Sequence, residues 1–115
     1  MPCTMKVQEY LREDNSNPYR KWFNSLDATA AAKIAVAIAR LELGNTSNIK
    51  WFDGIGEYKI DWGPGYRVYL AQEGKQLILL FGGGTKKHQQ TDIEHAQALY
   101  REYKKRKKQA AKNKE

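Results

Sequence analysis

The chain has 115 residues and 13.3 kDa, with 41% hydrophobic and 29% charged residues, one cysteine (Cys3) and a formal net charge of +7. That is enough for one domain with its own core and too little for two. It excludes a disordered or fibrous chain, a disulfide framework and a cysteine-built metal centre. No apolar run approaches the ~18 residues of a membrane span, and no signal-peptide pattern opens the chain. The expectation is a cytoplasmic protein with no membrane partner.

The positive charge is unevenly placed. Residues 103–115 carry seven Lys or Arg against one acid, Glu115, whereas the other 102 residues carry 13 bases and 12 acids. A nearly neutral domain, residues 1–103, therefore precedes a basic tail, residues 104–115. Such tails are solvated helix ends or phosphate-contacting segments, and Lys104 and Lys105 are the tail's candidate RNA contacts.

In chain order, Met5 to Leu11 reads as a short strand, broken by Asp14-Asn15-Ser16-Asn17-Pro18. Ser16 or Asn17 can cap a helix with Pro18 in its first turn, and Tyr19, Trp22, Phe23 and Leu26 form its apolar stripe. Asp27 can cap a second, alanine-rich helix from Ala28 to about Leu43, with Ile34, Ile38 and Leu41 as its large apolar residues and Gly44-Asn45 as its stop. From Trp51 onward the signal is β. Tyr58, Ile60 and Trp62 alternate with Lys59 and Asp61; after Gly63-Pro64-Gly65, Tyr66, Val68 and Leu70 alternate with Arg67 and Tyr69. Glu73-Gly74 fits a hairpin turn. Gln76 to Gly82 follows, apolar on both faces from Leu77 to Phe81, as in a central strand. Thr91 and Glu94 fit a capping box for a last helix whose stripe is Ile93, Ala96, Tyr100 and Tyr103. The order β-α-α-β-β-β-α predicts an α+β fold, a small antiparallel-dominated sheet with helices packed largely on one face.

On that reading, Lys59 and Arg67 emerge together from adjacent strands on an open face, with Tyr69 beside them. The strand end adds Gly82-Gly83-Gly84-Thr85-Lys86-Lys87-His88, where glycines let backbone N–H groups approach an anion and basic side chains follow. No nucleotide-binding fingerprint, Ser/His/Asp arrangement or metal-ligand spacing is present, so neither cofactor nor metal is expected. A cationic face suits a phosphodiester backbone. RNA carries its own nucleophile, the 2′-OH, so a ribonuclease need only align it and stabilise charge on the phosphate. Arg67 and Lys86 are candidates for that stabilisation, and His88 for proton transfer. Lys59 and Lys87 would hold the backbone, and Tyr69 or Trp62 would stack a base. Each residue also has a bland alternative: Arg67 paired to Asp61 or Glu57, Lys86 and Lys87 in a solvated turn, His88 idle.

The segments Gly56-Glu57-Tyr58-Lys59-Ile60, Gly65-Tyr66-Arg67-Val68-Tyr69, Ile78 to Lys87 and Gln90-Thr91-Asp92-Ile93 with Ala96 resemble the RelE/ParE superfamily of type II toxins. Within it, the resemblance is to the addiction-module killer branch, which is similar to HigB toxins. The resemblance implies a toxin neutralised by a cognate antitoxin and, for HigB-like and RelE-like members, cleavage of mRNA on the ribosome without a metal. It maps the functional strand arginine onto Arg67, the basic residue of the preceding strand onto Lys59, and the basic group after the last strand loosely onto Lys86 and Lys87. The tyrosine some members carry near the C-terminal end has no clear counterpart; His88 and Asp92 lie in its neighbourhood. ParE-like members inhibit DNA gyrase instead, and a non-catalytic RNA- or protein-binding module is the further alternative.

Overall fold

The computed structural model describes residues 4–113, so Cys3 and the last two residues of the basic tail lie outside it. Strand β1 (Lys6–Glu9) leads through the Asp14–Pro18 break into helix α1 (Pro18–Asn24). Asn17, not Ser16, caps α1, its side chain accepting from the Arg20 N–H at 2.9 Å. Helix α2 (Ala28–Glu42) starts at the expected cap, with Asp27 accepting from the Ala30 N–H at 2.8 Å.

Four strands follow: β2 (Ile49–Phe52), β3 (Ile55–Ile60), β4 (Tyr66–Glu73) and β5 (Leu77–Thr85). β2 is additional to the sequence reading. It pairs with β3 through Asp53-Gly54, both at positive φ (47° and 85°), the requirement of a two-residue type I′ hairpin. The sheet order is β1-β5-β4-β3-β2, antiparallel throughout except where β1 runs parallel to β5. A turn of 3-10 helix, Lys86–His88, feeds directly into α3 (Gln89–Asn113). Thr91 therefore lies inside the helix and forms no capping box. α3 also runs through most of the segment read as a tail.

The fold is α+β, and α1 and α2 cover one face of the sheet as the pattern predicts. Ile34, Ala37 and Leu41 of α2 pack with Tyr19, Ile49, Tyr58, Val68, Leu70, Ile78 and Leu80. The other face is not open. Ala96 and Leu99 of α3 pack there on Ile55, Tyr69, Ala71, Leu79 and Phe81. β5 thus has apolar side chains on both faces because helices cover both. A bulge between Tyr69 and Leu70 leaves Phe81 without a partner, moving from the Leu70–Leu80 pair to Tyr69–Gly82. Gly83 then falls on the α1 side and Gly84 on the α3 side.

Candidate functional site

Register brings together much of what the sequence groups. Arg67 stands opposite Lys59 on β3 and opposite Gly84 on β5, so one row crosses three strands and ends two residues before Lys86. Lys59, Lys86, Lys87 and His88 are exposed around this end of the sheet.

Two members of the group are not exposed. Arg67 is 8% accessible and Tyr69 1%, both beneath the α3 side. This corrects the expectation of an open face, and it removes Tyr69 as a platform for stacking a base. The cause is α3, whose apolar stripe needs the same sheet face. Trp62 instead stacks on Tyr66, with ring centroids 6.2 Å apart.

Beneath α3 the polar groups form a network. Glu57, itself buried, accepts from the Tyr69 hydroxyl at 3.2 Å and from the Gln89 side-chain amide at 2.8 Å. Burial, followed by the neighbouring Glu57 carboxylate, pushes the Tyr69 phenol up. Glu57 also faces Arg67, but the closest approach, Nε to Oε1, is 3.7 Å, an ion pair without a hydrogen bond. Arg67 Nε and Nη1 are buried with no hydrogen-bond partner. The charge of Arg67 is balanced while two of its donors are unspent.

The first turn of α3 closes over this row. Gln89 reaches Glu57 on β3, and the Asp92 carboxylate lies against Gly84 on β5, with Arg67 on the strand between. A side chain at Gly84 would displace the Asp92 carboxylate from this position. Burial raises the Asp92 carboxyl, opposed by the nearby imidazoles of His88 and His95. Asp92 and His95 also face a groove of about 550 Å³ between α1 and α3, lined on its other side by Lys21 and Trp22. Arg67 and the three lysines around the sheet end are not among its walls.

Sequence reasoning placed Glu57 only as a possible pair for Arg67, Asp92 only as a neighbour, and Gln89 not at all. The late helix start hid Gln89, because a residue read as loop carries no facing direction. Of the expected RNA contacts in the tail, Lys104 lies 4.5 Å from the centre of the Tyr100 ring and Lys105 is exposed. Among the described residues no helix is long and apolar enough to cross a membrane.

The chain is 43% identical over 86 residues to an uncharacterized protein of Haemophilus influenzae, covering 73% of this chain and 87% of that protein. The two belong to one family. No family model matches the chain, and no solved structure matches it.

Proposed function

We propose that this family member is the toxin of a type II toxin–antitoxin pair of the RelE/ParE, HigB-like kind. It acts in the cytoplasm as a ribosome-dependent mRNA endoribonuclease and is neutralised by a cognate antitoxin. The observation that carries the reading is the unspent guanidinium. Buried donors without partners cost ~1–3 kcal/mol each, which argues for a use outside the fold. Two such donors on Arg67, in one row with Lys59 and beside the glycine turn that leads to Lys86 and Lys87, would meet the oxygens of a phosphodiester once the first turn of α3, with Gln89 and Asp92, lifts off them. In that role Arg67 stabilises the charge that develops on the phosphate as the 2′-OH attacks and the 5′-oxygen leaves. Lys59, Lys86 and Lys87 hold the flanking backbone. His88, exposed on the same turn, and Asp92, against Gly84, are the groups this reading assigns to carry the proton.

The experiment is induction of the wild type and of Arg67→Ala, Lys59→Ala and Lys86→Ala, with growth and ribosome-associated mRNA 5′ ends followed. The expected result is arrest with new 5′ ends in the wild type. Cleavage falls by about 10²-fold or more in Arg67→Ala. It falls less in the two exposed lysine variants, which keep the fold. Wild-type arrest with no new 5′ ends overturns the reading.

A second reading, gyrase inhibition without catalysis, is favoured by the burial of Arg67 under α3, since a binding toxin needs no accessible guanidinium. It predicts induction of the DNA-damage response with intact mRNA, and arrest unchanged by the lysine substitutions.

A further inference from the structure

We propose that the outward face of the C-terminal half of α3 docks on the phosphate backbone of double-helical RNA. This rests on the ribosome-directed reading above and supplies its second contact. α3 is continuous to Asn113, ten residues beyond Tyr103, where its apolar stripe ends. The basic residues of that extension do two different jobs. Arg106 and Lys107 are turned toward the domain: Arg106 donates to the Tyr10 hydroxyl at 3.1 Å and the Leu11 carbonyl at 2.8 Å, and Lys107 to Glu73 at 3.1 Å.

Arg101, Lys105, Lys108 and Lys112 are all exposed, and none takes an ion pair among the described residues. Steps of four, three and four residues put them on one line of the helix, opposite the face that carries Leu99 and Arg106. At ~1.5 Å per residue the line is about 17 Å long with one cation per turn. Among the described residues the acid on the same line, Glu94, lies two turns nearer the N-terminus and accepts from Gln90 at 3.4 Å.

A cationic helix face suits either phosphates or an anionic lipid surface. Lying in a membrane interface requires large apolar side chains on the opposite face. Beyond Tyr103 the described helix has no apolar residue larger than Ala110 and Ala111. Charge without a hydrophobic anchor selects the polyphosphate. Three of the four cations are lysines, point charges rather than forked donors, so the recognition is of backbone, positioning rather than sequence-reading.

The test titrates the full chain into a labelled RNA duplex of about 20 base pairs between about 50 and 200 mM salt. The variant Arg101→Gln/Lys105→Gln/Lys108→Gln/Lys112→Gln is compared with Arg106→Gln/Lys107→Gln. The expected result is that the first lowers the slope of log K against log salt by about 3–4 and keeps its thermal midpoint. The second lowers the midpoint and keeps most of the slope. Circular dichroism checks that both stay helical. An unchanged slope in the first variant, or an equal loss per charge in both, overturns the proposal. Tighter binding to phosphatidylserine vesicles, or to a DNA duplex of equal length, does so too. Slope loss as expected with no mRNA cleavage by the wild type removes the nuclease reading alone. Cleavage with an unchanged slope removes the docking alone.

Discussion

The two faces of the sheet are built on different rules. Under α1 and α2 the core is apolar, and a polar group there such as the Tyr58 hydroxyl donates to a backbone carbonyl, that of Ala37, at 3.3 Å. Under α3, Leu79, Phe81 and Ala71 share the interior with Glu57, Tyr69 and Arg67, and two guanidinium donors go unused. A buried ion pair of this kind is weak support for a fold, because desolvation offsets its attraction. One face is an ordinary apolar core. The other tolerates a costly arrangement that stability alone does not explain.

Breaking the polar face gives the largest expected effect. Glu57→Ala leaves Arg67 as an uncompensated buried charge and should cost about 3–5 kcal/mol in urea unfolding. The double variant Glu57→Leu/Arg67→Met should recover part of that loss, the buried Tyr69 hydroxyl left without its acceptor holding it below the wild type, and on the proposed function it should abolish toxicity. A double variant as unstable as the single would show that the pair serves the fold.

The apolar face responds more gently to a conservative change. Ile34→Val, at a fully buried position of α2, should cost ~0.5–1.5 kcal/mol and leave the pattern of mRNA 5′ ends unchanged. An altered cleavage pattern would couple the two faces.

The smallest effect is in pH. Burial raises Tyr19, on the α1 face, to about 12, and burial together with a hydrogen bond to Glu73 raises Tyr100, on the α3 face, to about 12. Burial favours the neutral phenol, so both contributions are fully present below about pH 10 and are lost as pH rises toward 12. Carboxylates behave oppositely. Hydrogen bonds from Arg20 hold Glu9 below its ordinary value, and those from Arg12 and Tyr10 do the same for Glu102. Their stabilisation is present above the ordinary carboxylate range and is lost as pH falls through the lowered values. Tyr100→Phe should flatten the alkaline loss and, lacking its bond to Glu73 at 2.7 Å, cost ~1 kcal/mol at neutral pH. Thermal midpoints measured from about pH 2 to about pH 12 separate the acid and alkaline limbs.

Much of the fold was legible because its signals are local. Asn17 and Asp27 cap the helices that follow them, and period-two alternation marks β3 and β4. The β2–β3 hairpin escapes the sequence reading, because the apolar alternation around Asp53-Gly54 is too short to stand out. The missed element of the site, Gln89, follows from the 3-10 turn that starts α3 early. The run Leu77 to Phe81, apolar on both faces, already implied a second covered face and so argued against an open one for Arg67.

By itself, the sequence determined most of the elements, the neutral body with its basic end, and the alternation that sets Lys59 and Arg67 side by side. Those depend on contacts between near neighbours in the chain. Only the tertiary structure decided that α3 lies over Arg67 and Tyr69, that Gln89 and Asp92 meet β3 and β5, and that Arg106 and Lys107 bond to the domain while the line Arg101, Lys105, Lys108 and Lys112 faces solvent. Each of these depends on which face a helix buries its stripe against, a choice made by packing between segments far apart in the chain.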